Sequence, residues 1–204
     1  MNTFDSMAKN YDTDEATRRA KETADEMRKH IVDGHAKSAI EYGCGTGLVG
    51  LQLANDFDTL LLVDTSDGMI EQLEQKLDSM DVPSVSVLHY DIMTDTSQDL
   101  HADCIFSCMV LHHLKDIEDV FGRFYHILQP GGHILIADLD KEDGSFHADF
   151  PNFDGHNGFE HAFLTEAAAK AGFVKTEIQT FYNGYKPTSG DPLPYSLFIL
   201  DATK

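Results

Sequence analysis

Short apolar runs and segments with helical spacing alternate along the first two thirds of the chain. A continuous apolar run such as Thr59–Val63 predicts a strand buried on both faces. Asp67–Met80 carries its apolar residues on one helical face and follows a serine cap at Ser66. The predicted strands are Ser38–Tyr42, Thr59–Val63, Val85–His89, Asp103–Val110 and His133–Ala137, and the predicted helices are residues 14–32, Leu48–Asn55, Asp67–Met80 and Ile117–Leu128.

The pattern changes after the fifth predicted strand. Residues 140–160 are rich in Asp, Gly, Phe and His without a regular period, so we expect a loop that covers the substrate. A helix over Thr165–Ala171 follows, and then two strands, Thr176–Tyr182 and Tyr195–Leu200, which read as an antiparallel hairpin with a loop at 184–194. The expected apolar lining of the covering loop is Phe146, Phe150, Phe153 and Phe159.

Alternating strands and helices predict an α/β fold. Five such units favour a doubly wound, mostly parallel sheet with helices on both faces, to which the hairpin adds an antiparallel strand. The length of 204 residues fits one domain, 1–204, with residues 1–32 as an N-terminal helical cap and 140–160 as a substrate lid. Ligands bind at the carboxyl ends of such strands. The loops to inspect therefore follow Tyr42, Val63, His89, Val110 and Ala137.

Charge and composition limit the classes of binding partner that we expect. The chain has 35 acidic and 15 basic residues, a formal net charge of −20. Nucleic acids and anionic membranes are bound by basic surfaces, so we expect neither as a partner. No apolar run approaches the ~20 residues of a membrane span, and the polar N-terminus predicts no secretory signal. Three cysteines without zinc-type spacing fit reduced thiols in a cytoplasmic protein.

The segment Ala39–Gly50, AIEYGCGTGLVG, predicts a strand, a glycine loop and the start of a helix. Glycines let the backbone turn tightly and approach a ligand closely, and the helix that follows offers free N–H groups to an anion. Gly45, Gly47 and Gly50 also satisfy G-x-G-x-x-G, a pattern shared with dinucleotide-binding proteins. The loop therefore predicts a cofactor site without deciding the cofactor.

Acidic residues follow the next two predicted strands. Asp64 comes at the end of the second strand, where a carboxylate can accept both hydroxyls of an adenosine ribose. Asp91 follows the third strand and can accept a hydrogen bond from an adenine amino group. Ile92 and Met69 can sandwich the ring. Together these positions predict an adenosine-containing ligand.

In this order, the blocks resemble those of Rossmann-like (class I) S-adenosylmethionine-dependent methyltransferases of the small-molecule, ubiquinone-biosynthesis-like type. The E-x-G-x-G-x-G pattern begins at Glu41, and the fourth-strand block ends in L-H-H. The matching blocks are Phe4–Asp12 (FDSMAKNYD), Glu41–Gly47 (EYGCGTG), the acids Asp64 and Asp91, Phe106–Leu114 (FSCMVLHHL) and Leu128–Gly132 (LQPGG).

The resemblance implies a seven-stranded sheet with an antiparallel last strand. It implies S-adenosylmethionine as the cofactor, S-adenosylhomocysteine as the product, and in-line transfer of the methyl group to a small-molecule acceptor. It also implies that Tyr11 folds over the cofactor from an N-terminal segment. The expected cofactor-binding residues are Tyr11, Glu41, Gly43, Gly45, Gly47, Asp64, Thr65, Met69, Asp91, Ile92 and Cys108.

The sequence does not identify a catalytic residue as it identifies the cofactor-binding residues. The leaving group is already good, so alignment and exclusion of water are the main requirements. A base is needed only for an acceptor that starts protonated with a high pKa, and His113 is the candidate. No metal site is expected, because no recognised ligand spacing joins His147, Asp149, Asp154, His156 and His161.

Two other functions fit part of the pattern. An NAD-dependent oxidoreductase shares the glycine loop and Asp64, but it does not account for Glu41, the Asp91 block or the terminal hairpin. A catalytically inactive S-adenosylmethionine-binding protein would keep every cofactor block. The acceptor, the methylated atom and the oligomeric state are left open by the sequence.

Overall fold

The structure is a computed structural model that describes residues 3–31, 37–95, 99–150, 152–188 and 190–204. Single 3₁₀ turns lie at Ala8–Asn10, Leu111–His113 and Ser145–His147. The helices are α1 (Thr3–Met7), α2 (Asp14–Arg28), α3 (Gly50–Leu53), α4 (Asp67–Leu77), α5 (Ile117–Ile127) and α6 (His161–Ala171). The strands are β1 (Ser38–Tyr42), β2 (Thr59–Asp64), β3 (Val85–His89), β4 (Ala102–Cys108), β5 (Leu128–Leu139), β6 (Lys175–Lys186) and β7 (Leu193–Thr203).

These strands form one seven-stranded sheet in the order β3-β2-β1-β4-β5-β7-β6. The first five pair in parallel, and β7 runs antiparallel to both β5 and β6. The predicted sheet with an antiparallel last strand is confirmed. Because β2 lies on one side of β1 and β4 on the other, the strand order reverses there. A crevice for a ligand is expected outside the carboxyl ends of β1 and β4.

Apolar side chains are buried on both faces of the sheet. Ile105 of β4 belongs to a core cluster with Phe121 and Phe124 of α5. Its neighbour Phe106 belongs to a second cluster, which includes Met27 of α2. Successive strand residues point to opposite faces, so a strand covered on both sides must be apolar throughout. This is why β4 shows no alternation in the sequence.

The turn before the fifth strand differs from its prediction. β5 begins at Leu128 rather than at His133. Ala102 pairs with Leu128 and Cys104 pairs with His133, so residues 129–132 bulge out of the strand. Gly131 in this bulge has a φ of +81°. The Gln-Pro-Gly-Gly sequence does end the preceding helix, but it lies within a bulged strand.

Several other elements differ from the predictions at their ends. The glycine loop continues in turns through Val49, which leaves α3 one turn long. Val32, the last residue of the predicted first helix, lies outside the described residues. α2 ends at Arg28, α4 ends at Leu77, α6 begins at His161 and β4 ends at Cys108. Both hairpin strands are longer than predicted, since β6 ends at Lys186 and β7 begins at Leu193. Among the described residues, no helix combines the length and apolarity needed to cross a bilayer.

Candidate functional site

The glycine loop after β1 is bonded to the carboxylate of Asp64 and to the carbonyl oxygen of Val63. Gly43, Gly45 and Gly47 have φ values of +71°, +54° and +80°, a region that residues with a Cβ avoid. The Oδ2 atom of Asp64 accepts a hydrogen bond from the N–H of Gly45 at 2.7 Å, and its Oδ1 atom accepts one from the N–H of Ser66 at 2.8 Å. Asp64 therefore joins the loop to the start of α4.

Glu41 lies beneath the loop with 2% of its surface exposed. Its Oε2 atom has no hydrogen-bond partner among the described residues. Burial raises the pKa of this carboxyl group to about 8, because a charge is poorly solvated in the protein interior. A buried polar atom without a partner costs stability, and Glu41 lines a small pocket beneath the loop.

A cavity of about 170 Å³ opens at the carboxyl ends of β1, β2 and β4. A smaller pocket of about 40 Å³ adjoins it beneath the glycine loop. We call the two together the cofactor-side cavity. Of the residues predicted to bind the cofactor, those that line it are Tyr11, Glu41, Gly43, Gly45, Asp64, Thr65, Met69 and Cys108.

Three of the predicted residues, Gly47, Asp91 and Ile92, do not line this cavity. The carboxylate of Asp91 accepts hydrogen bonds from the backbone N–H two residues on and from the Oγ1 of Thr94, at 2.9 and 2.7 Å. Ile92 is buried in the core. Tyr90 occupies the cavity wall after β3 instead. The adenine-side roles of Asp91 and Ile92 stay predictions.

The N-terminal segment, residues 3–13, lies against the same cavity. The Oδ1 atom of Asp5 accepts hydrogen bonds from the hydroxyl of Ser66 at 2.7 Å and from the N–H of Gly68 at 3.2 Å. Tyr11 lines the cavity beside the glycine loop, and a Cβ placed on Gly45 would lie 4.0 Å from its ring. The segment therefore covers the cavity from the solvent side.

A second cavity of about 380 Å³ lies directly against the first, and we call it the acceptor-side cavity. Phe4, Tyr11, Arg19, Met109 and His113 line both cavities. These shared side chains lie between the two spaces. A ligand in one would therefore lie next to a ligand in the other.

The loop at 140–160 supplies much of the wall of the acceptor-side cavity, as expected of a covering loop. Phe159 is a correction, because it is 3% exposed and packs edge-to-face against Phe198 in the core. A β-bridge with Asp140 holds it there. Pro151 lies outside the described residues. The phenylalanines of this loop that do line the cavity are Phe146, Phe150 and Phe153.

Strand β4 ends in a strained residue at the boundary of the two cavities. Met109 has a φ of +59°, which no other described residue with a Cβ shares, at a cost of about 1–3 kcal/mol. Buried Asp138, at the end of β5, accepts hydrogen bonds from the N–H of Val110 at 3.1 Å and from Nδ1 of His112 at 2.6 Å. The turn after β4 is thus fixed from the neighbouring strand.

Three histidines meet on the wall of the acceptor-side cavity. His112 and His113 follow β4, His147 lies in the covering loop, and their ring centroids are 4.1 to 5.7 Å apart. Burial, with the nearby His112, lowers the pKa of His113 to about 3 and that of His147 to about 4. Both rings are therefore neutral at physiological pH.

The ligand candidates considered from the sequence do not gather in space. Asp149 contacts Lys186, and Asp154 pairs with Lys115. Of these five candidate metal ligands, His147 and Asp154 line the acceptor-side cavity. The ring of His147 contacts histidines that follow β4, outside this set of candidates. His156 and His161 instead contact Lys115 and Asp140.

Sequence reasoning also missed parts of both walls. Phe4 opens the N-terminal block that carries the resemblance, so its place in that block was an available signal. Tyr42 ends β1 and Tyr90 directly follows β3, at the strand ends where ligands bind. Nothing local in the sequence links His147 to the His112–His113 pair, because the contact depends on how the covering loop folds back.

Comparison with known proteins agrees with this geometry. Residues 40–134 match the family model described as "Methyltransferase domain". An uncharacterized methyltransferase of Schizosaccharomyces pombe is 26% identical over 117 residues, which cover 54% of this chain and 41% of that protein. Phosphoethanolamine N-methyltransferase 2 of Caenorhabditis elegans is 27% identical over 158 residues, which cover 74% of this chain and 35% of that protein. The chain thus spans less than half the length of both relatives.

A solved structure extends the likeness to the whole fold. Phosphoethanolamine N-methyltransferase 2 of Haemonchus contortus, in complex with S-adenosyl-L-methionine, superposes with a TM-score of 0.73 at 18% identity, over 100% of this chain and 60% of that one. The sheet has the Rossmann-like arrangement of that enzyme. Residues 40–134 are similar to the methyltransferase domain, and the curated relatives they resemble carry methyltransferase names. None of these comparisons supports the oxidoreductase alternative.

The contact between α4 and the N-terminal segment yields a first prediction. A Cβ on Gly68 would lie 2.9 Å from the Cα and carbonyl oxygen of Asp5, so Gly68→Ala must push the segment outward. We expect faster proteolytic cleavage within residues 3–13, measured by limited proteolysis and mass spectrometry. Gly122→Ala is the matched control, because a Cβ there meets no atom within 4 Å and stabilises the helix by about 0.5–1 kcal/mol. Equal cleavage rates in the two variants would contradict the docked position of the segment.

Proposed function

We propose that this protein is an S-adenosylmethionine-dependent methyltransferase that acts on a small-molecule acceptor. The observation that carries the proposal is the pairing of two cavities. One lies at the glycine loop, above the buried carboxyl group of Glu41, whose Oε2 atom has no hydrogen-bond partner among the described residues, and the other adjoins it through Tyr11, Met109 and His113.

The residues on the cofactor side fit S-adenosylmethionine. The carboxyl group of Glu41 is suited to a cationic ligand group, because a nearby positive charge stabilises its ionised form. Asp64 keeps unused acceptor capacity on both oxygens for the ribose hydroxyls. A Cβ placed on Gly45 would meet no protein atom closer than 3.9 Å, so this face of the loop is open to a ligand. The Haemonchus enzyme with bound S-adenosyl-L-methionine supports the same choice.

When bound, S-adenosylmethionine supplies a methyl group on a positively charged sulfur atom. The chain's own residues then have two tasks. The boundary residues Tyr11, Met109 and His113 set the distance and direction between the two ligands, which is where most of the rate enhancement arises. Phe4 and the rest of the N-terminal segment exclude water from the cofactor-side cavity.

A base role for His113 stays a prediction. Its ring lines both cavities, so it can reach an acceptor. A pKa of about 3 makes it a weak base, and proton removal from a group of high pKa is correspondingly unfavourable. We therefore expect an acceptor whose reacting atom is already unprotonated, or one that is activated by another group at this wall.

The acceptor-side cavity favours a molecule with an apolar or aromatic body. Aromatic rings and methionines form much of its wall. The arginine and lysine side chains that line this cavity already form ion pairs, Arg19 with Glu15 and Lys186 with Asp149. The volume of about 380 Å³ lies in the usual range for small-molecule sites. With a net charge of −20, nucleic acid is not a fitting partner.

The proposed activity is tested by a panel of small-molecule acceptors with detection of S-adenosylhomocysteine. The panel includes phenols, aromatic acids, amines and phosphoethanolamine, the last because the relatives named above carry it in their names. We expect product release above the acceptor-free rate with an aromatic or apolar compound. Binding of the cofactor without transfer to any member would favour the inactive binding protein instead.

The glycine loop gives a prediction that separates binding from folding. Gly45→Ala places a Cβ in the open space of the cofactor-side cavity, at a backbone cost of about 1–2 kcal/mol, so we expect a folded protein whose S-adenosylmethionine affinity falls at least tenfold. Gly50→Ala is the contrasting variant, because its Cβ would lie 2.2 Å from Oε2 of Glu41 and 2.5 Å from Leu62, and it should lower the melting temperature. Unchanged affinity in folded Gly45→Ala would show that the cofactor does not approach this loop.

Glu41 gives a pH-dependent prediction. Its pKa of about 8 means that the free protein holds this carboxyl group protonated at neutral pH. A cationic ligand beside it lowers that pKa, so binding releases a proton, and affinity for S-adenosylmethionine should rise as the pH increases towards 8 and level off above it. Calorimetry in buffers of different ionisation enthalpy measures the released proton. Glu41→Gln should remove both the release and the pH dependence, and proton release that persists in this variant would refute the assignment.

A further inference from the structure

The three histidines on the wall of the acceptor-side cavity form a compact group of possible ligand atoms. One ring nitrogen from each of His112, His113 and His147 can be chosen so that all three lie within 4.8 Å of one another. Tetrahedral coordination at about 2.1 Å places ligand nitrogens about 3.4 Å apart. A pair of nitrogens at the 4.8 Å limit therefore needs to approach by about 1.4 Å through rotation of the histidine side chains.

The orientation of His112 matches that of a metal ligand. Its Nδ1 lies 2.6 Å from the carboxylate of Asp138, and both residues are buried. Because the carboxylate accepts the Nδ1 proton, the lone pair of the neutral ring is on Nε2. Metal-bound histidines are held in this way by a carboxylate behind them, which fixes the ring and the tautomer.

His147 supplies an independent observation. Its exposed fraction is 7%, and its Nδ1 atom is buried without a hydrogen-bond partner among the described residues. The ring is stacked on Phe153, with a centroid distance of 3.7 Å and an interplanar angle of 7°. A buried imidazole nitrogen without a partner is unfavourable, and coordination to a metal would satisfy it.

We propose that His112, His113 and His147 hold one divalent transition-metal ion of the Zn²⁺ type at the wall of the acceptor-side cavity. Imidazole ligands suit Zn²⁺, Co²⁺, Ni²⁺ and Cu²⁺ rather than Mg²⁺ or Ca²⁺. Three histidines leave a coordination position open, as in catalytic zinc sites. All three side chains line the cavity, so that position is available to a ligand within it.

The metal's use depends on the proposed function, whereas the binding of the metal does not. An acceptor with an oxygen or nitrogen donor atom would coordinate the open position and be held next to the cofactor-side cavity. A metal in this position would lower the pKa of a coordinated hydroxyl group, which would favour its loss of a proton before methyl transfer. The acceptor class inferred is thus an apolar or aromatic compound that carries a metal-binding donor such as a hydroxyl group.

The test is a titration of the tag-free, chelator-treated full chain with Co²⁺ alone, followed by visible absorption. We expect one equivalent to bind and to produce the ligand-field bands of a four- or five-coordinate site. His113→Ala and His147→Ala should each weaken binding at least tenfold. His126→Ala is the matched control, because His126 is exposed on α5 and does not line the cavity, and it should bind as the unmutated chain does.

Absence of the bands, or bands that neither His113→Ala nor His147→Ala changes, would overturn the proposal. If His113 acts only as a base, His113→Ala loses methyl transfer although the unmutated chain has no Co²⁺ site. That outcome would also contradict the proposed metal site. If His113→Ala and His147→Ala lose Co²⁺ binding but keep full methyl transfer, the proposed acceptor chemistry is refuted and the metal site stands.

A measurement on the unmutated chain avoids any question of misfolded variants. In a ¹⁵N-labelled sample, one equivalent of Zn²⁺ should shift the ring nitrogen signals of three of the 11 histidines. Their resonances should stop moving once one equivalent is bound. Small shifts spread over many histidines, without saturation at one equivalent, would show surface binding only and would contradict the site.

Discussion

The hydrogen bonds made by Asp64 are the interaction on which the ligand site depends. One carboxylate bridges the glycine loop after β1 and the start of α4, through the N–H groups of Gly45 and Ser66. Ser66 in turn caps α4 and donates its hydroxyl to Asp5 of the N-terminal segment. Charge-assisted bonds of this kind are among the stronger ones in proteins. Loop, helix and covering segment are thus linked through the side chains of Asp64, Ser66 and Asp5.

Several energetically unfavourable features lie near Asp64 and the two cavities. Among the described residues, Glu41 and His147 each bury one side-chain atom that has no hydrogen-bond partner, and Met109 has a strained backbone. Such features persist only where the surrounding structure enforces them, and they tend to cluster at functional sites. Here all three line the two adjoining cavities, whereas the core of the sheet is apolar.

The two halves of the site differ in how far the sequence could predict them. The cofactor side is built from strand ends and the short loops after them, so Glu41, Gly45 and Asp64 could be placed by counting strands. The acceptor side is built from residues far apart in sequence. His147 meets His112 only because the covering loop folds back over β4, and Phe159 turns into the core because of a single β-bridge. Contacts of this kind have no periodicity in the sequence, which is why the bulge in β5, set by its pairing with β4, was also not predicted.

The central claim is that the glycine loop belongs to a methyl donor rather than to a dinucleotide. The most direct measurement is calorimetric titration of the unmutated chain with S-adenosylmethionine and, separately, with NAD. The account predicts binding of S-adenosylmethionine at one site per chain, and no heat of binding from NAD at the same concentrations. Saturable binding of NAD without binding of S-adenosylmethionine would contradict it.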